Sequence, residues 1–130
     1  MADMALGEVL PGPIDVVLAD DLVYVPDLCF VRQARLEAIQ ATHIAGPPDL
    51  CVEIISESNR THDTVVKFQD YARFGVAEYW LVDLRERHVS TWRNEGGSFG
   101  LIGRAGPGEQ VQSAVFPELN LDPAPLFAKK

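Results

Sequence analysis

No apolar run in this 130-residue chain approaches the length needed to cross a bilayer, so no transmembrane helix is expected. The start lacks a basic stretch followed by an apolar segment and a cleavage site, which argues against a secretory leader and for a cytoplasmic protein. Cysteine is scarce. Cys29 and Cys51 both lie inside apolar runs, too few for a zinc site and better suited to packing than to a disulfide in a reducing compartment. Basic charge is scarce as well: the net charge of −8 argues against a general nucleic-acid binder, whose basic surface displaces counterions from phosphate. A polyanionic substrate must therefore meet a local basic patch, a metal ion or a partner. Arg60, Arg73, Arg85, Arg87, Arg93 and Arg104 are the candidates for that patch, although each taken singly reads as solvated surface. There is no glycine-rich phosphate loop, no repeat array and no low-complexity segment. Neither Ser56 nor Ser58 sits in a Gly-x-Ser-x-Gly elbow, which disfavours a serine hydrolase built with His43, His62 or His88.

What is present reads as one domain. Residues 1–13, broken by glycine and proline, form a loose arm, and residues 14–130 form the body. Ile14 to Leu18, Leu22 to Val25 and Leu28 to Val31 are strand-like, and 32–42 reads as a short helix or turn. Leu50 to Ile55, rich in β-branched residues and bounded by breakers, is a central buried strand. Ser58 or Asn59 can cap a helix that runs to about Phe74, with Val65, Val66, Phe68 and Ala72 as its apolar stripe and Gly75 at its end. Strands at Glu78 to Val82, His88 to Trp92 and Phe99 to Ile102 follow, the last two joined by a hairpin at 94–97. A final strand is expected at Val111 to Val115. It is followed by an extended arm that docks through Leu126 and Phe127. The order gives an α/β (α+β) sandwich with a mixed sheet. Trp80, Trp92, Tyr79, Phe99 and Phe116 fit a core better than a base-stacking platform, with Trp92 the one candidate for exposure.

The residue that demands explanation is Glu53. In a strand reading Leu-Cys-Val-Glu-Ile-Ile it is buried among apolar groups unless a cation, a metal, a raised pKa or an open cleft accommodates it. Alternation puts Asp49, Cys51, Glu53 and Ile55 on one face, and Asp27, Cys29 and Val31 on one face of the other strand. A sequence echo, Pro26-Asp27-Leu28-Cys29 and Pro48-Asp49-Leu50-Cys51, links the two segments. Read singly, Asp27 is a turn residue, Lys67 the helical ion-pair partner of Asp63, and Tyr71 a half-buried packing residue.

Taken together, these residues resemble the putative restriction endonuclease domain family of the PD-(D/E)XK nuclease superfamily. The similarity runs from Val25-Pro26-Asp27-Leu28 through Pro48 to Ser56, then Asp63, Lys67 and Tyr71, to Gly75-Val76-Ala77-Glu78-Tyr79-Trp80-Leu81-Val82-Asp83. The tail around Phe116-Pro117-Glu118-Leu119 joins it. The resemblance implies a restriction-endonuclease-like mixed sheet with a central helix and metal-dependent hydrolysis of DNA. Asp27 and Glu53 would bind Mg²⁺ or Mn²⁺, the Ile54 carbonyl would add a ligand, and Lys67 would orient or activate the attacking water. The usual signature places the lysine two residues after the acid, where this chain has Ile55; Lys67 on the following helix takes that role. Family members carry a further N-terminal segment with another glutamate. Against that pattern the chain reads as N-terminally truncated, and Glu8 does not inherit the role. An open sheet side would then favour a homodimer. The alternative is a catalytically inactive relative kept for binding or assembly.

Overall fold

The computed structural model describes residues 6–128. The strands are β1 (Gly7–Pro11), β2 (Asp15–Ala19), β3 (Leu22–Tyr24), β4 (Leu28–Arg32), β5 (His43–Ala45), β6 (Leu50–Ile55), β7 (Glu78–Asp83), β8 (His88–Asn94) and β9 (Phe99–Ala105). Six of them form one sheet in the order β1-β4-β6-β7-β8-β9, and β3-β2-β5 form a smaller one. β6 and β7 are parallel, whereas their neighbours pair antiparallel. A parallel pair needs a crossover, and residues 56–77 supply it with the helix. That helix begins with a π-helical turn, His62–Val66, and continues as α1, Lys67–Arg73. Gly75 ends it at φ +99°, a conformation that favours glycine.

The six-stranded sheet buries both faces. On one, Cys29, Val31, Cys51, Ile55, Tyr79 and Leu81 pack under Tyr71 and Ala72 of α1 and against Val16 and Ile44 of the small sheet. On the other, Val82, Val89 and Ala105 are covered by Val111 and Phe127 from the C-terminal arm. Glu78 fixes that arm. Its fully buried carboxylate accepts the Ser113 hydroxyl, the Trp80 indole N–H and the backbone N–H groups of Ala114 and Val115, at 2.6–2.9 Å.

Several expectations are corrected. Residues 7–11 are not loose: β1 pairs in full with β4, while residues 1–5 of the expected arm lie outside the described residues. No strand forms at Val111 to Val115, because its backbone donors go to the Glu78 carboxylate and to Leu121 instead of a ladder. Of the docking pair only Phe127 is buried; Leu126 is exposed. Of the expected stripe, Ala72 and Phe68 pack on the core, whereas Val65 and Val66 face solvent. The π turn carries an extra residue, so the inward positions are Asp63, Tyr71 and Ala72. Ser58 makes no cap; its hydroxyl lies 3.3 Å from that of Ser56. Trp92 packs edge-on against Phe68, ring centroids 4.9 Å apart, and belongs to the core margin.

The helix is tied to the sheet at its start by Arg60, whose guanidinium spans both Asp83 oxygens at 2.8 and 3.1 Å. That pair holds the Asp83 carboxyl down at about 2, from 3.8. A depressed folded-state value means that the stabilisation is complete above 3.8 and disappears as pH falls through about 2. Melting temperatures of wild type and Arg60→Gln should therefore differ at pH 6 and converge as pH falls from 4 toward 2. A gap that persists unchanged across that range would place the effect outside Asp83.

Candidate active site

The sequence echo is a local two-fold relation. β4 and β6 pair antiparallel with Cys29 opposite Cys51, Leu28 opposite Val52 and Phe30 opposite Leu50. Pro26 and Pro48 are both fully buried. At one end of the strand pair Asp49 accepts the N–H of Arg32 at 2.7 Å; at the other, Asp27 accepts the N–H of Ile54 at 2.6 Å. The equivalence stops at the counter-ions. Asp49 is closed off by Arg32 and Arg35, each at 3.1 Å, while Asp27 has no ion pair among the described residues. One step beyond Leu28, the register brings Asp27 level with Glu53, and alternation puts both on the face covered by α1.

Glu53 is 3% exposed. Its Oε2 accepts hydrogen bonds from Lys67 Nζ and from the Tyr71 hydroxyl, both at 3.1 Å. Lys67 Nζ also lies 3.5 Å from Asp63 Oδ1. Burial pushes the Glu53 carboxyl up to about 7, with the Lys67 ammonium opposing. Burial likewise raises Asp63, again opposed by Lys67 and reinforced by the charge on Asp27. The Tyr71 hydroxyl is raised by burial above all, so it stays a donor to Glu53.

Thus the structure brings Glu53 and Lys67 into direct contact and places Asp27 beside them, bonded to the residue after Glu53. It adds two residues that the sequence showed but to which no site role was given. Tyr71, expected to be a half-buried packing residue, is fully buried and holds Glu53; Asp63, expected to be the partner in an ordinary helical pair, is 3% exposed. Their signal was the four-residue spacing of 63, 67 and 71, a polar stripe adjacent to the apolar one. The arginines do not pool into a patch. Arg60, Arg73, Arg85 and Arg93 are each paired with carboxylates, and Arg87 lies over the Phe127 ring. Ser56 and Ser58 lie 3.3 Å from each other and His43 lies beside Thr42, so among the described residues neither serine is bonded to a histidine.

One ammonium is thus paired with two carboxylates, and the charge of a third, Asp27, bears on Asp63; that deficit of positive charge, made of hard oxygen donors, suits a divalent cation. Among the described residues no three His, Cys, Asp or Glu side chains form a ready-made metal cage. The fit therefore rests on the charge deficit and on Asp27, Glu53 and a main-chain oxygen. Cavities of about 630 and 640 Å³ lie elsewhere, around Glu78 with Arg93 and beside Phe68 with Phe99. Of the three carboxylates Asp27 is exposed, like Ile54, so the site reaches the surface there, whereas Glu53 and Asp63 are buried.

The sequence matches the family described as "Putative restriction endonuclease", Uma2, over residues 1–124. A crystal structure of a putative nuclease from Anabaena variabilis superposes with a TM-score of 0.73 at 21% identity, covering 97% of this chain and 70% of that one. No curated protein matches the sequence.

Proposed function

Because the chain belongs to the Uma2 putative restriction endonuclease family, we propose that it is a metal-dependent endonuclease hydrolysing DNA phosphodiester bonds. The observation that carries this reading is the Lys67 ammonium, 3.1 Å from a buried Glu53 carboxylate in a site short of positive charge. Asp27 and Glu53, with the Ile54 carbonyl, would hold Mg²⁺ or Mn²⁺. The ion, when bound, would polarise the scissile phosphate and lower the pKa of a bound water. The protein's own groups do the remaining work. Tyr71 fixes one Glu53 oxygen. Lys67 orients or activates the attacking water and offsets charge that builds on the phosphorane-like transition state. A site that reaches the surface at Asp27, rather than an enclosed cavity, suits an extended polymer.

Among the described residues β1 pairs only with β4, so its other edge is unpaired and Val9 is exposed, which supports a homodimer formed through that edge. Two free, buried cysteines support a reducing, cytoplasmic setting. Among the described residues no helix is long and apolar enough to cross a membrane.

The test is plasmid nicking by purified protein with Mg²⁺ or Mn²⁺ and none with chelator. A folded sample that fails at every metal concentration would count against catalysis. The second reading, an inactive relative, is favoured by the lack of a three-residue metal cage among the described residues. Melting separates the two. Under the first, Mn²⁺ raises the melting temperature of wild type and leaves Asp27→Asn unmoved; under the second, Mn²⁺ shifts neither.

A further inference from the structure

Lys67 has two anionic partners, and they are not equivalent. Glu53 comes from the sheet and is also a candidate cation ligand. Asp63 comes from the same helix as Lys67 and has no other duty at the site. Its placement is nevertheless well determined. It sits in the π turn His62–Val66, the one stretch where the helix departs from α geometry among the described residues. Its N–H bonds the Asn59 carbonyl at 2.8 Å, and its own carbonyl accepts the Tyr79 hydroxyl from the sheet at 2.9 Å. Both backbone groups of Asp63 are therefore tied down, one to the helix entry and one to β7. A buried carboxylate is expensive to keep. This one is held from both sides with its Oδ1 3.5 Å from Lys67 Nζ.

We propose that Asp63 is a positioning residue for Lys67: it keeps the ammonium at the site when Glu53 turns from Lys67 to a bound cation. The proposal rests on the nuclease reading above and adds a role to it. Without Asp63, the amine keeps the Tyr24 ring, 5.5 Å from its centroid, and among the described residues its one remaining anionic anchor is the carboxylate that the cation competes for. The long, flexible lysine stem would then swing away as the site fills. With Asp63, the amine keeps one fixed partner throughout. Within this turn Asp63 is buried on the Lys67 side, while Val65 and Val66 face solvent.

Two measurements test this together. In nicking assays, Asp63→Asn lowers kcat about 100-fold with little change in KM, the signature of a misplaced group rather than lost substrate binding. Asp63→Glu recovers part of the loss. In parallel, NMR of the Lys67 side-chain ammonium reports its order without reference to turnover. In Glu53→Gln the ammonium stays ordered, because Asp63 holds it; in Asp63→Asn with Mg²⁺ present it becomes mobile. Full kcat in Asp63→Asn, or loss of ammonium order in Glu53→Gln, overturns the proposal. If wild type fails to nick DNA, the nuclease reading falls by itself, and the ammonium order still decides the role of Asp63. If Asp63→Asn fails to fold, the Glu53→Gln spectrum still decides it.

Discussion

Lys67→Met is expected to abolish nicking, by on the order of 1,000-fold, and to destabilise the protein by about 3 kcal/mol. The two effects have different origins, so they can be separated. The stability loss arises because Glu53, 3% exposed, would lose the cation that opposes its burial, and must then either take up a proton or stay charged with only the Tyr71 hydroxyl to receive it. Burial already pushes its carboxyl up to about 7 with Lys67 in place. Removing the charge along with its partner should relieve the problem: the double variant Lys67→Met/Glu53→Gln regains more than half of the stability and none of the activity. Urea denaturation near pH 8 and plasmid nicking read the two outcomes. A Lys67→Met protein as stable as wild type would make the pair an ordinary surface contact; one that nicks DNA normally would remove the lysine from the chemistry.

Glu78→Ala is expected to be the most damaging change away from the active site. Four donors converge on one buried carboxylate, and three of them come from residues 113–115. Removing it leaves the Trp80 indole and two backbone N–H groups without acceptors under the arm. The loss should be on the order of 4 kcal/mol, and Glu78→Gln should recover only part of it. The arm beyond Ala105 should become the first site of limited proteolysis, while the hairpin of β8 and β9 remains protected. A change in unfolding free energy below about 1 kcal/mol would mean that Val111 and Phe127 dock the arm without Glu78.

The sequence was most legible where pattern and burial agree. β6 was read to the residue, from its β-branched run between breakers. β7, β8 and the glycine stop of the helix followed from similar local signals. Glu53 stood out because a carboxylate in that run is chemically awkward, and of the ways to accommodate it the structure shows a cationic partner, Lys67. What stayed hidden depended on distant partners. β1 looked like a loose arm because its strand character comes from pairing with β4. The Val111 to Val115 segment looked like a strand because nothing local reveals that its donors go to Glu78. Phe68 and Ala72 of the expected stripe do face the core, but Val65 and Val66 do not: they lie in the π turn, which has no sequence signature that periodicity detects, and Asp63 is the buried residue of that turn. The Pro-Asp-Leu-Cys echo was visible. Its meaning, two aspartates each pinning the N–H of the facing strand, needed the register.

Ile55 occupies the place where the usual signature has its lysine, and it is packed into the core at 7% exposure. The amine has thereby been moved off the sheet. Asp27 and Glu53 ride on the sheet and the ammonium on the helix, which is tied to the sheet by the Arg60–Asp83 pair, by Tyr71 to Glu53 and by Tyr79 to the Asp63 carbonyl. The outer side of that helix, with Val65, Val66 and Gln69 in solvent, is thus one lever with two ends at the candidate site: whatever leans on it bears on Lys67 and, through Tyr71, on Glu53, while Asp27 stays with the strands.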